Sequence, residues 1–211
     1  MTVWDDVRMV TDVEVFRPGF GRVLVVVVVL LCVGGAVTGL LDDATTVWPY
    51  LPLLALLSVL AWAAYWRPAV VVSPAGVELR NVTRTVEIPW TALNAVETHF
   101  ALTLHTAYGS YASWAAPAPS QSRVRRADRT DVSDLPESTY GSGGSVRPGD
   151  LAGTDSGQAA ALVRSRWEQL RDTGVLNAPR LEREQPVVHW HVGTLAVVVA
   201  LGALSVLTLA L

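Results

Sequence analysis

Few residues in this chain stand at spacings that do chemistry. His189 and His191 flank Trp190, an i, i+2 pair able to share a metal ion if both lay on a strand. No cysteine or carboxylate completes a ligand set at a recognised spacing, so the pair reads as interfacial residues ahead of an apolar run. His99 and His105 would share one face of a regular strand, but about 20 Å apart at ~3.3 Å per residue, too far for one ion. Asp42 and Asp43 stand between two apolar runs. They read as the polar link of a hairpin rather than as a cation site. Leu135-Pro136-Glu137-Ser138-Thr139 departs from a sortase signal at its fourth and fifth residues. No Ser-His-Asp pattern, glycine-rich phosphate loop or dinucleotide fingerprint occurs. The expectation is a protein that is not an enzyme, with no catalytic residue, cofactor, metal or small-molecule substrate assigned.

The remaining candidates are contact residues. All sixteen basic residues are arginine and the net charge is −3, so no global positive field recruits nucleic acid. Arg123, Arg125, Arg126 and Arg129 form a basic cluster, worth about 1 kcal/mol per residue beside anionic headgroups. Asp128, Asp131, Asp134 and Glu137 lie close by and cancel much of that field. Arg80 and Arg84 flank a turn, where they either meet lipid phosphates or stand as solvated surface arginines. Gly35 and Gly39 have the small-x-x-x-small spacing that lets two helices approach closely; the alternative is a lipid-facing glycine pattern.

The elements that must position these residues are dominated by three apolar runs. Residues are 51% hydrophobic and only 17% charged, too apolar for an ordinary soluble domain. Residues 23–41 carry no charge, and thirteen of the nineteen are Val or Leu. Their insertion into lipid is favoured by about 5 kcal/mol. The β-branched stretch would favour a strand in water, but in lipid the backbone must satisfy its own hydrogen bonds, so a helix wins. Residues 48–66 are also uncharged, with aromatic residues towards both ends and Pro49 and Pro52 in the first turns, where a missing N–H costs little. Residues 192–211 form the third run. Such lengths match the ~30 Å hydrocarbon core. A cleaved signal peptide is disfavoured by the late start and long apolar stretch of the first run. A lipoprotein site at the lone Cys32 is disfavoured by Leu31 before it. The basic residues near the run ends (Arg17, Arg22, Arg67, Arg180 and Arg183) place the N-terminus and residues 67–191 inside, and the 42–47 loop and C-terminus outside.

The segment 67–116 alternates apolar and polar residues, as in Val77, Leu79, Val86 and Ile88, between tight turns at 73–76, 81–83 and 107–109. This is the signature of short antiparallel strands in a sandwich or small barrel. Residues 117–154 are rich in Pro, Ser, Gly, Asp and Arg, too polar to offset their ordering entropy, and read as a flexible insertion. Asp155-Ser156-Gly157-Gln158 fits a capping box. Ala159, Leu162, Val163, Trp167 and Leu170 share one helical face, and Gly174 fits a C-terminal stop.

A strand meander closed by an amphipathic helix resembles a pleckstrin-homology (PH) domain. The run Arg67-Pro68 … Ser73-Pro74-Ala75-Gly76-Val77 … Arg80-Asn81 … Ile88-Pro89-Trp90, followed by Tyr108-Gly109 … Trp114-Ala115, resembles the actinobacterial PH-domain membrane proteins named after low molecular weight protein antigen 6. The resemblance covers roughly residues 20–175 and implies two helices ahead of the domain. The third apolar run and the 117–154 insertion depart from that pattern. It carries over no activity, and the 73–76 loop has no base with which to grip an inositide.

The expected architecture is an α+β membrane protein: three transmembrane helices and a PH-like small antiparallel β-barrel or sandwich capped by a C-terminal amphipathic helix. Its segments are 1–22 N-terminal and cytoplasmic, 23–41 helix, 42–47 outer loop, 48–66 helix, 67–175 cytoplasmic domain with a helix at 156–173, 176–191 linker and 192–211 helix. The expected function is a membrane-anchored scaffold at the cytoplasmic face of the cell membrane. It would bind a protein partner and anionic headgroups through the 117–154 loop and exposed strand edges. The alternative is an accessory subunit that joins a larger complex through its helices. A membrane enzyme is the third reading.

Overall fold

The computed structural model describes residues 13–120, 136, 139, 147–174, 176 and 184–210. Their elements run β1 (Glu14–Phe16), α1 (Gly19–Asp42), α2 (Ala44–Trp66), β2 (Ala69–Val72), β3 (Gly76–Arg80), β4 (Arg84–Pro89), β5 (Leu93–Glu97), β6 (Ala101–Thr106), β7 (Gly109–Pro117), α3 (Asp155–Asp172), β8 (Val187–Trp190) and α4 (Val192–Ala210). They divide into two compact units.

The helical unit spans Pro18–Pro68, Val82–Arg84 and Trp190–Leu211. α1, α2 and α4 have 24, 23 and 19 residues and are long and apolar enough to cross a membrane. α2 starts at Ala44, so the link to α1 is the single residue Asp43 rather than a loop over 42–47. The cause is local. Asp43 caps α2, accepting from the Thr45 amide at 3.0 Å and from the Thr45 and Thr46 hydroxyls at 2.6 Å. The Thr45 hydroxyl, with Thr46 and the amide, lowers the carboxyl from 3.8 to about 2. Asp43 is therefore a helix cap. Pro49 sits in a 3₁₀ turn over Trp48–Tyr50, and α2 ends in a π-helical turn over Trp62–Trp66. α4 runs antiparallel to α2: Arg67 Nη1 donates to Thr194 Oγ1 at 2.7 Å near one end, and Thr208 Oγ1 donates to the Pro49 carbonyl at 2.8 Å near the other.

The second unit holds two antiparallel sheets, ordered β1-β2-β3-β4-β8 and β5-β6-β7. Val70 faces Leu79, and Leu79 faces Val86, across the first sheet. These side chains pack with Leu102 and Leu104 of the second sheet and with Ala159, Ala160 and Val163 of α3 in one core. The apolar face expected on the helix is this one, with Leu162, Trp167 and Leu170 partly buried along it. The helix starts at Asp155, with Thr154 as its cap, accepting from the Gly157 amide at 3.0 Å. Gly174 follows its end at φ +74°, the left-handed conformation that glycine adopts without strain.

Three strands escaped the reading of the sequence. β1 lies in the segment expected to be only an N-terminal tail, and β8 in the segment expected to be a linker. β5 follows a short 3₁₀ turn at Trp90–Ala92, and a bulge between Leu93 and Ala95 breaks its alternation. β1 pairs Val15 with Val71, and β8 flanks β4.

Flexibility expected over 117–154 does not extend to 147–154. Asp150 and Arg164 are 2% and 5% exposed. Arg164 Nη1 donates to Asp150 Oδ1 at 2.6 Å and to Thr139 Oγ1 at 3.3 Å, and its Nη2 donates to the Val96 carbonyl at 3.0 Å. Thr98 donates to Asp150 Oδ1 at 2.7 Å, and Ser156 donates to the Gly149 carbonyl at 2.7 Å. A Cβ on Gly149 would overlap the Thr98 backbone, so only glycine lets the segment approach this closely. Its polarity serves a buried network rather than solvation.

Candidate functional site

The β2–β3 turn is where phosphate recognition would be sought in a PH-type fold. Ser73 closes it, donating its amide to the Gly76 carbonyl at 2.9 Å, while Trp90 Nε1 donates to the Ser73 carbonyl at 2.9 Å. A hollow of about 370 Å³ opens beside it, and Glu78, Glu87 and Glu184 are among its lining residues. Carboxylates there oppose a phosphate electrostatically. Arg80 lies next to this hollow but faces Glu78, its Nε and Nη2 donating to the carboxylate at 2.8 and 3.0 Å. That bond raises the Arg80 pKa further.

Arg84 is placed differently. Its guanidinium lies over the Trp190 ring, 5.6 Å from the centroid. Two further pairs repeat the arrangement in the helical unit: Arg22 over Trp66 and Arg67 over Trp62, each at 5.7 Å. All three are within the ~6 Å range of cation–π attraction. The pairs are linked. Trp62 and Trp66 are one turn apart on α2, Arg67 bonds Thr194 of α4, and the His191 amide donates to the Thr83 carbonyl at 2.9 Å. The three arginines thus belong to one linked series of contacts in the helical unit. The unit's carboxylates, Asp42 and Asp43, stand at the far ends of α1 and α2. The sequence showed aromatics near the run ends, but no local spacing joins Arg84 to Trp190.

The other candidates are dispersed. Arg123, Arg125, Arg126 and Arg129 lie outside the described residues. A Cβ on Gly39 would overlap the Val47 side chain of α2, whereas one on Gly35 meets nothing within 4 Å. Gly39 therefore serves the α1–α2 contact, and Gly35 faces open space. His189 faces Glu87, with Nε2 and Oε1 3.7 Å apart, and His191 Nδ1 lies 3.3 Å from the Val82 carbonyl. His99 precedes β6 and packs on Phe100, with ring centroids 4.2 Å apart.

One constellation was invisible in the sequence. His105 Nδ1 lies 2.7 Å from Ser110 Oγ, and its Nε2 lies 3.1 Å from Glu97 Oε2. The register explains it: Ser110 is the direct cross-strand partner of His105, and Glu97, opposite Thr103, is its diagonal neighbour. The Glu97 side chain is 47% exposed, so these bonds compete with water, and the three residues read as a cross-strand ladder.

The sheet edges are partly occupied. Asn81 Nδ2 donates to the Ala112 carbonyl at 2.9 Å and Asn81 Oδ1 accepts from the Trp114 amide at 2.7 Å, so one side chain takes a strand's place along β7. Phe100 just before β6, Trp114 on β7 and Tyr108 in the turn between the two strands are exposed by 82%, 59% and 44%.

A family model described as a bacterial PH domain matches residues 67–202, well over half of the chain. No curated protein and no solved structure matches.

Proposed function

This chain belongs to the bacterial PH domain family, and from that membership we propose that it is a membrane-anchored interaction scaffold without catalytic activity. PH domains are typically binding modules, and three apolar helices associate this one with a membrane. The observation that carries the reading is the position of β1 and β8. Both are strands of the domain's five-stranded sheet, and both run within one or two residues into an apolar helix. β2 likewise follows α2 after Arg67 and Pro68. Links of one or two residues span at most ~7 Å, so three short covalent links join the domain to the apolar helices. The cytoplasmic face is the one proposed for the domain, because Arg22 and Arg67 stand at the helix ends next to these links, whereas Asp42 and Asp43 stand at the opposite ends.

A protein partner is the proposed ligand of the domain. Strand addition at β5 and β7 is hindered, because Arg164 and Asn81 already bond those strands. The exposed aromatics Phe100 and Trp114 offer anchors of the kind that dominate interface energies. The second reading, a subunit that joins a complex through its helices, is favoured by the open Gly35 side of α1.

Photo-cross-linking in native membranes separates them. A cross-linker at Phe100 of the full chain is expected to capture a discrete partner, and Trp114→Ala to reduce that capture by roughly tenfold or more. Capture only from a cross-linker at Gly35 would favour the second reading. Capture from neither position, with a substrate turned over by the purified chain, would overturn both.

A further inference from the structure

We propose that Ser110 is a modification site: a hydroxyl activated by His105 and Glu97 to accept an acyl group from a thioester. The inference goes beyond the scaffold reading and does not depend on it. Ser110 Oγ stands 2.7 Å from His105 Nδ1, and His105 Nε2 stands 3.1 Å from Glu97 Oε2. A hydroxyl, a ring nitrogen and an orienting carboxylate in that order make a serine nucleophilic. The carboxylate also decides where the ring proton sits. An ionised Glu97 can only accept, so the neutral imidazole carries its proton on Nε2 and offers the Nδ1 lone pair to the Ser110 hydroxyl.

The hairpin builds this geometry. Ser110 is paired directly with His105 across β6 and β7. The turn between them is held by Thr106, whose Oγ1 donates to the Gly109 carbonyl at 2.9 Å and accepts from the Tyr108 amide at 3.1 Å. Glu97 reaches the ring from β5, and Arg147 Nη1 lies 3.9 Å from its other oxygen, Oε1. Ser110 is exposed, and its same-face neighbour on β7, Ala112, is small and exposed too. An acyl donor can therefore approach Oγ from solvent.

The step balances within these groups. Ser110 Oγ bonds to the thioester carbonyl carbon while its proton passes to His105 Nδ1. Glu97, at Nε2, stabilises the imidazolium so formed. The adduct collapses with cleavage of the C–S bond, and the proton passes from Nδ1 to the leaving sulfur. The products are a serine ester and a free thiol. The site lies on a strand face rather than in a cleft, so the proposal is limited to a single transfer per chain, which leaves the scaffold reading intact.

The test exposes the full chain in mild detergent to S-phenyl thioacetate and locates the acetyl group by peptide mass spectrometry. The chain has no lysine, and a Cys32→Ala background removes its thiol, so little else competes. One acetyl group is expected at Ser110. His105→Gln is expected to slow its arrival about a hundredfold or more, and free imidazole to restore part of the rate to His105→Ala. Glu97 acts as a positioning residue. Glu97→Gln is expected to slow the transfer roughly tenfold, because an amide can donate to Nε2 and select the other tautomer. Glu97→Asp is expected to recover part of that loss. Acetylation of Ser110 no faster than of the other exposed hydroxyls would overturn the proposal. So would a rate unchanged in His105→Gln, or His105→Ala that imidazole does not rescue.

Discussion

Arg164 ties α3 to β5 and to Asp150 of the 147–154 segment at the scale of a single side chain. It reaches from α3 to Asp150, Thr139 and the Val96 carbonyl, and it is almost wholly out of water. Breaking a buried ion pair from one side leaves the other charge without compensation, at a cost of about 3–5 kcal/mol. Arg164→Met is therefore expected to destabilise the domain by that amount. Replacing both residues, as in Arg164→Met with Asp150→Leu, is expected to cost less than either single change. Denaturant unfolding of the full chain in mild detergent measures both. A single substitution costing under ~1 kcal/mol would show that the pair is not structural. This network was illegible in the sequence for a plain reason. Arg164 follows Val163 on an amphipathic helix and looks like a solvated neighbour of the buried face. Asp150 stands in a Pro- and Gly-rich stretch whose composition matches disorder. Only the fold brings them together, as it does Ser110, His105 and Glu97, whose proximity depends on strand register.

Elements were legible where a period runs long enough to be counted. The β3 and β4 strands alternate, β2 is a short wholly apolar run bounded by Pro68 and a turn, and the apolar face of α3 recurs at helical spacing, so all of these stood out. β1 has three residues and β8 four, too short to show a period, and the bulge in β5 breaks its pattern. The hairpin boundary was misplaced because hydropathy marks where charge ends, whereas the helix start is set by the Asp43 cap. The Gly35/Gly39 pair shows how one spacing serves two purposes. Gly39→Leu drives a side chain into Val47 and is expected to destabilise the α1–α2 hairpin by about 1–3 kcal/mol. Gly35→Leu meets open space and is expected to be neutral or stabilising by a few tenths of a kcal/mol, since glycine is a poor helix former. Thermal unfolding of both variants in the same detergent decides this. Equal losses would mean that Gly35 also packs within the chain.

For the whole molecule, under the proposed membrane reading, the sheet constrains how the chain would thread a membrane. β1, β2 and β8 are strands of one sheet, so the segments before α1, after α2 and before α4 share one side. If α1 and α2 each cross once, the chain leaves that side and returns to it, and the single residue Asp43 marks the far face. In that reading α4 would cross once, with Thr208, which donates to the Pro49 carbonyl, towards the far side. Charge chooses between the two orientations. Arg22 and Arg67 lie at the helix ends linked to the sheet and Asp42 and Asp43 at the opposite ends, so in the proposed reading the arginine-bearing ends would be the cytoplasmic ones. Cysteine accessibility tests both steps in a Cys32→Ala background, which removes the chain's one thiol. In intact cells a membrane-impermeant maleimide is expected to label Ala44→Cys and to leave Asn94→Cys, on β5, unlabelled until the membrane is opened. The reverse pattern would invert the orientation. Labelling of both positions in intact cells would mean that the domain and the hairpin tip share a side, and the double crossing by α1 and α2 would be wrong.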